Sequence, residues 1–586
     1  MIVPMKKATI VVQAKDADSA VGALRGLGVL HVEHQEAPKG RDISMLEDDI
    51  GLIDTVLAVL LEKEFARDPW VGETQEKGDW RVTVRHIIDL RKRLEQSEEF
   101  SRTLISRISQ WEPWGDFEPH EIEKLAEKGV FIRLYQIPVK EINNLPEEVS
   151  VHIVHAAGGL ANCVIVSRAR IDIPYKEIAL PKMGLDKMRR RLVEDERVIE
   201  LIKDDIHKLV SFRDSLCATR NSRENELEFQ RALKGMGQAG TLSYLTGYFP
   251  AESEEALSEA TKKNKWGLVV SEPGGEDNVP TLIRNPRWVS LIEPVFRLLG
   301  VVPGYRELDI SPIFLCFLSL FFGMIIGDAG YGAVYFLLAF WLHRKFARKL
   351  SDTRIFFLLY VFSACAIFWG LLTGTVFGQE WYLKAGHQPF IPLLNNTKFL
   401  QTFCFFLGAV HLTLAHAWQG LRKAPSLTAL SDAGWIGVLW AGFFLARTLI
   451  LDDPFPFFGK WLIVAGLSLV IFCTSPQRNI FKTIASGLGT VALSLMNNFT
   501  DIVSYIRLFA VGLAGVAIAD TVNALAAGFA GKMFPVQMLI LFAGHTINII
   551  LGPMSVLVHG IRLNVLEFSS HAGLSWSGMA YRPLKE

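Results

Sequence analysis

A chain of 586 residues is too long for one ordinary domain and should hold several. Its 61 basic and 61 acidic residues cancel, which removes the electrostatic reason to expect nucleic acid or a strongly acidic partner. The six cysteines (Cys163, Cys217, Cys316, Cys365, Cys404, Cys473) form no CxxC pair and have no histidine at metal spacing, so they read as small buried apolar residues and no metal or other cofactor is expected.

The first thirty residues carry Lys6, Lys7, Lys15, Asp16 and Asp18 and lack a continuous apolar core, so no secretory signal is expected and the amino-terminal half should stay in the cytoplasm. Ala8 to Gln13 reads as a strand, Ala17 to Arg25 as a helix and Val29 to Glu33 as a second strand. Helical spacing runs from Ile43 to Glu64 and from Val82 to Ile108, interrupted around Pro69 and Gly72. Strand signals return at Val130 to Gln136, Val151 to Val154 and Cys163 to Ser167. Asp186 to Lys234 then reads as one long helix whose Leu185, Met188, Leu192, Ile199, Ile202, Ile206, Leu209 and Leu216 make a narrow apolar seam for a partner helix. Thr241 to Tyr248, Glu252 to Thr261 and Trp266 to Val270 supply strand, helix and strand.

Gly235, Gly237 and Gly240 fit GxGxxG, but the stretch follows a helix and precedes a strand, the reverse of a dinucleotide site. No GxxxxGK[ST] occurs, so no directly bound nucleotide is expected. Glu272 to Pro312 reads as a linker, with Trp288 to Leu299 a candidate amphipathic helix at a membrane surface.

From Ile310 onward apolar runs dominate. Lys and Arg cluster at His343 to Arg354, at Arg422 and Lys423, and at Arg478 to Lys482, and these fall on one side of a bilayer only if residues 311–342 cross twice. Helices are therefore expected at 311–326, 329–349, 354–377, 398–421, 432–450, 457–474, 480–530 and 535–569, with both termini cytoplasmic. The seventh is longer than a bilayer requires, so it should be tilted, surface-lying or kinked near Asn497 and Asn498. Gly512, Ala514, Gly515, Ala517 and Ala519 allow close helix approach, either within the chain or to a partner.

The expected architecture is thus a soluble α/β two-lobed arm joined by an antiparallel coiled coil, followed by an all-α polytopic membrane domain of about eight helices with two long tilted helices at the C-terminus. In residues, one lobe takes 1–40 plus 236–271, the coiled coil 41–112 plus 184–235, the second lobe 113–183, the linker 272–310 and the membrane domain 311–586. In the last two helices polar residues stand where apolar ones belong. An arginine at mid-bilayer costs roughly 2.5–3.5 kcal/mol on insertion scales and cannot shed its charge, so Arg507 needs a carboxylate or water. The second stripe holds His545, Asn548, His559 and Arg562.

Several motifs carry a resemblance: Asp309-Ile310-Ser311-Pro312 leading into Phe322-Gly323-Met324-Ile325-Ile326-Gly327-Asp328-Ala329-Gly330-Tyr331-Gly332; Gly370-Leu371-Leu372-Thr373-Gly374-Thr375-Val376-Phe377-Gly378; Ser504-Tyr505-Ile506-Arg507-Leu508; and His559-Gly560-Ile561-Arg562-Leu563-Asn564. In their order and spacing the chain resembles subunit a of the rotary V-type ATPases, in the shorter bacterial and archaeal form called subunit I of the V/A-type ATPase. The resemblance implies that Arg507 matches the family's indispensable membrane arginine, Arg562 its second one and His559 a polar position beside it. It implies a non-catalytic stator subunit in the plasma (inner) membrane of a bacterium or archaeon. The lipid-embedded half would face a ring of proteolipid subunits, the arm would bind peripheral stalk subunits, and a central stalk subunit would lie nearby at the membrane.

On that reading the candidates for lining two ion half-channels are Asn497, Asn498, Asp501 and Ser504 on one helix and His545, Asn548, Ser555, His559, Asn564 and Glu567 on the other, with Arg562 an orienting partner rather than the ring contact. The ion is H+ or Na+. Asp328 and Glu380 read as structural residues of the outer face, and Gly330 and Gly332 as backbone permitting a turn. Two other classes compete: a self-contained secondary transporter with a regulatory cytoplasmic domain, and a scaffold with a membrane anchor. No repeat relates residues 311–450 to 457–569, as a transporter would often have, and a scaffold has no use for two buried arginines.

Overall fold

The computed structural model describes the chain except residues 63, 66–78, 147–148, 172, 349, 351, 380–390, 530–532 and 586. The break expected at Pro69 and Gly72, and Glu380, lie outside the described residues. In chain order the amino-terminal half gives β1 (Met5–Gln13), α1 (Ala17–Leu27), β2 (His31–Glu33), α2 (Arg41–Leu60), α3 (Trp80–Trp111), α4 (Pro119–Glu127), β3 (Phe131–Pro138), β4 (Ser150–Ala157), β5 (Leu160–Ser167) and β6 (Glu177–Ile178). There follow α5 (Leu185–Leu209), α6 (Arg213–Lys234), β7 (Gly237–Ala239), β8 (Leu242–Pro250), α7 (Glu254–Asn264) and β9 (Gly267–Ser271). The chain divides into two compact units: Met1–Val11, Val29–Glu33 and Thr246–Pro583 in one, and Val12–Gly28, His34–Leu245 and Leu584–Glu586 in the other.

The second unit holds an antiparallel sheet in the order β4-β5-β3-β6 and a set of long helices. Apolar residues at helical spacing put Ile53, Val56, Val84, Ile87, Leu90, Ile199 and Ile206 into one buried cluster. Lys203 pairs with Glu64 and Glu98, and Arg220 with Asp54, along its border. The helix expected over 186–234 is two helices separated by a 3-10 turn at Val210–Phe212. The reason is a change of partner, since α5 packs on α3 whereas α6 packs on α2. The GxGxxG stretch follows a helix and leads into strand, as expected: Gly235 ends α6, but Gly237–Ala239 form β7 rather than a turn.

In the first unit the strands follow the order β2-β8-β1-β9, with β1 antiparallel to β9 and β2 antiparallel to β8. The linker contributes a 3-10 turn, Val289–Ile292, and the short helix α8 (Glu293–Leu299). Beyond it run α9 (Ser311–Ile326), α10 (Ala329–Phe346), α11 (Arg354–Thr373), α12 (Thr397–Lys423), α13 (Thr428–Leu451), α14 (Phe457–Cys473), α15 (Ile480–Ser504), α16 (Ile506–Ala527), α17 (Phe534–Ser555) and α18 (Ser569–Ala572). Among the described residues, five helical stretches are long and apolar enough to cross a membrane: Arg354–Thr373, Thr397–Lys423, Thr428–Leu451, Ile480–Ala527 and Phe534–Ala572. Two more apolar helices, α9 and α14, are shorter.

Phe314, Phe321, Phe405, Tyr505, Leu508 and Phe568 centre the core of this bundle. Of the three alternatives for this long stretch, a break at Asn497 and Asn498 is not seen: α15 runs through both, with Asn498 Nδ2 donating to the Ser494 carbonyl at 2.8 Å. The irregularity comes at Tyr505, whose N–H donates to Ile502 O and whose own carbonyl accepts from Leu508, both in the tighter i to i+3 pattern. Tyr505 is fully buried there, its hydroxyl 2.8 Å from His411 Nδ1. Between α17 and α18 the last helix widens into π-helical turns at Val556–Gly560 and Leu563–Phe568. Cys163 and Cys404 are buried as expected, but Cys217 and Cys316 are exposed, Cys316 on an apolar helix where a small side chain can face outward.

Candidate functional site

Arg507, at the start of α16, extends its Nε to the Ser504 carbonyl at 2.9 Å and an Nη to Glu567. Arg562 reaches the same Glu567 oxygen with its Nε at 3.6 Å. Five residues separate Arg562 from Glu567. In an α-helix they would diverge, but the π-helical turn brings i and i+5 into line. The Glu567 side chain is 5% exposed, and its second oxygen has no hydrogen-bond partner among the described residues. Glu567, expected as a channel lining, is therefore the counter-ion of both arginines. Two guanidiniums face this one carboxyl group, so basic groups outnumber acidic ones at the centre. Arg562, expected as an orienting partner, is the more exposed arginine, its side chain 56% accessible against 21% for Arg507. Beside them His559 is half-buried with Nδ1 unpartnered among the described residues, and Asn564 is buried, donating to Gly560 O at 3.2 Å.

Two cavities lie on either side of this centre, the first lined largely by polar side chains and the second largely by apolar ones. The first, about 270 Å³, takes Asn497, Asn498 and Asp501 from α15 and Ser570 and His571 from α18, with His416 of α12 and Asp432 of α13 in its wall. The second, about 130 Å³, takes Val511 to Ile518 positions of α16 and Asn548, Gly552 and Ser555 of α17, closed by Tyr331 and Tyr335 of α10. Contacts of Asn523 with His545, of Gly515 with Asn548 and of Arg507 with Glu567 show the two long helices running antiparallel. Along each of them the order is one cavity, then an arginine, then the other cavity.

The remaining candidates are satisfied locally. His545 stands 2.7 Å from the Tyr331 hydroxyl and 3.2 Å from Asn523 Oδ1. Asn548 donates to Gly515 O at 2.9 Å. The Ser504 backbone carbonyl accepts from Arg507 Nε. Asp328 is fully buried and accepts the N–H groups of Tyr331, Phe377 and Gly378 at 3.0, 2.9 and 2.7 Å, capping α10 and holding the turn after α11. The turn itself is made by Gly327, at φ +63°, not by Gly330 and Gly332. Those two lie inside α10, where a Cβ would come within 2.7 Å of the Phe377 ring and of the Ile367 backbone.

Sequence reasoning missed His411, His416, Gln419, Lys423, Asp432 and His571. His416, Gln419 and Lys423 share one face of α12 at i, i+3 and i+7, and only the fold brings that face to one cavity with Asp432 and His571. The single cue was a histidine or aspartate within an otherwise apolar run, as at His416 and Asp432.

No protein-family model matches the chain. It is 30% identical to V-type ATP synthase subunit I of Borreliella burgdorferi over 616 aligned positions, covering all of both chains. It is also 30% identical to V-type ATP synthase subunit I 1 of Treponema pallidum, again over the whole of both. With A-type ATP synthase subunit I of Pyrococcus horikoshii it shares 24% identity over 73% of this chain and 69% of that one. A crystal structure of the cytoplasmic N-terminal domain of subunit I, homolog of subunit a, of V-ATPase aligns at 14% identity and TM-score 0.22, covering 45% of this chain and all of that one. On full-length identity, with apolar helices long enough to span a bilayer, the chain belongs to the subunit I family of the V-type and A-type ATP synthases, a membrane subunit of the rotary ATPase.

Proposed function

We propose that this chain is the non-catalytic stator of its rotary ATPase, supplying two ion half-channels and a fixed positive charge against the rotating proteolipid ring. The observation that carries the proposal is the order cavity, arginine, cavity along both antiparallel helices. Two cavities joined directly would be a continuous passage. Separated by a permanent charge, they are two dead ends, and an ion crosses only by riding a ring subunit from one to the other.

The net positive charge left after Glu567 is shared gives a ring carboxylate something to bind. At ~4 Å and an effective dielectric near 20 the attraction is about 4 kcal/mol, enough to make the carboxyl release its ion yet weak enough to let it move on. Outward apolar residues such as Phe542, Ile550 and Met554 of α17 suit lipid or a ring helix. The helical residues 41–112 and 184–235 would form the coiled coil of an arm that anchors peripheral stalk subunits, with a central stalk subunit nearby at the membrane. The basic clusters support cytoplasmic termini in a bacterial or archaeal plasma membrane.

The test is Arg507→Lys in the assembled complex. Lysine keeps the charge but cannot reach Ser504 O and Glu567 together, so coupled transport should vanish while assembly survives. Substantial residual coupling would refute the assignment.

A further inference from the structure

The first cavity contains an unbroken line of titratable side chains that the arginine centre does not use. Lys423 Nζ donates to Asp432 Oδ2 at 2.8 Å; Asp432 Oδ1 lies 3.3 Å from His416 Nδ1; His416 Nε2 lies 2.9 Å from His571 Nδ1; and His571 Nε2 lies 3.0 Å from Asp501 Oδ2. The two imidazoles and Asp432 are more than nine-tenths buried, whereas Lys423 and Asp501 at the ends are partly open. Asn498, also buried and lining the cavity, leaves its Oδ1 unpartnered among the described residues.

Resting on the stator reading above, we propose that His416 and His571 relay a proton between Asp432 and Asp501. The line has three gaps, Asp432 to His416, His416 to His571 and His571 to Asp501, and filling all three with hydrogen bonds takes three hydrogens. Two neutral imidazoles bring only two. The third is an exchangeable proton, held as an imidazolium between two carboxylates or as an O–H at either end. Moving each hydrogen across its own gap breaks an O–H bond at one carboxyl and forms one at the other, a net transfer of one proton. The ring nitrogens reset by exchanging hydrogens with water in the cavity. The three gaps, 2.9 to 3.3 Å, are hydrogen-bond distances across which a proton can pass from atom to atom.

The experiment uses the whole complex in liposomes and reads ATP-driven acidification across a pH series, with added imidazole as a second readout. His416→Gln and His571→Ala should assemble normally, yet each should acidify on the order of tenfold more slowly at neutral pH. Imidazole at millimolar concentration should restore much of the His571→Ala rate, a recovery that a purely structural role would not permit. The inference is overturned if rate and pH profile are unchanged in both variants, if the loss resists imidazole, or if the unsubstituted complex moves radioactive sodium without acidification. Arg507→Ala run alongside separates the two levels: loss of transport there with unaffected histidine variants keeps the stator reading and removes the relay, whereas intact transport in Arg507→Ala removes the stator reading itself.

Discussion

Glu567 decides how the arginine centre behaves before any partner arrives. Both guanidiniums sit on one of its oxygens and its other oxygen has no partner among the described residues, so on the proposed reading one guanidinium is left to meet a ring carboxylate. Replacing one oxygen by an amide in Glu567→Gln keeps the shape and removes the neutralisation. A ring carboxylate would then meet two uncompensated positive charges and be held more tightly. The expected outcome is slower release, read as a fall in the maximal ATP-driven transport rate of roughly tenfold for each ~1.4 kcal/mol of added attraction. Arg507→Lys, by contrast, should abolish coupling outright. An unchanged maximal rate in Glu567→Gln would mean that Glu567 does not set the charge at the centre.

At the scale of elements, periodicity made most helices and strands legible. Alternation marked β1 and β5, and three-four spacing marked α3 and α5, because those patterns follow from which face is buried. Arg507 was legible for the opposite reason, since a charge in an apolar run has no packing explanation. The bond between Arg562 and Glu567 was not, because it needs a π-helical turn that no α-helical spacing anticipates. Nor was the His416–His571 pair, whose members lie 155 residues apart. The small-residue run on α16 was legible only in part. Gly512 and Ala519 pack within the chain, against Met324 and Gly378, while Ala514 and Ala517 face outward. A Cβ on Gly512 would stand 2.5 Å from the Met324 carbonyl, whereas one on Gly489 of α15 would meet nothing within 4 Å. Gly512→Ala should therefore destabilise by ~1–3 kcal/mol. Gly489→Ala should be neutral or stabilise by up to about 1 kcal/mol through helix propensity. Thermal unfolding in detergent compares them, and equal midpoints would mean that α9 and α16 do not approach so closely.

At the scale of the molecule, the segment after α18 binds the first unit together. Ser575 donates its N–H and hydroxyl to Glu307 at 2.7 and 2.6 Å, Thr281 donates to Met579 O at 2.7 Å, and Arg582 N–H bonds to His31 Nδ1 at 3.0 Å. The segment thus joins the end of the last helix to the linker and to the sheet. Glu307 is the titratable member of this clasp. Burial by itself would raise its pKa, but the hydrogen bonds from the Ser575 hydroxyl and N–H, and from the Gly304 and Trp576 N–H groups, outweigh burial and hold it below the ordinary carboxylate value. A carboxylate whose folded pKa is depressed stabilises fully above its unfolded pKa, and that stabilisation is lost as pH falls through the folded value. The clasp should therefore be intact at neutral pH, begin to weaken near the unfolded glutamate value of about 4.3, and open below it. Hydrogen exchange of residues 574–582 should rise in that acid window, beyond the acid slowing of exchange itself. Glu307→Gln, which cannot ionise, should show faster exchange at neutral pH and no such transition. A protein in which exchange of this segment follows the same pH course with glutamate or glutamine at position 307 would show that the clasp is held by its backbone contacts alone.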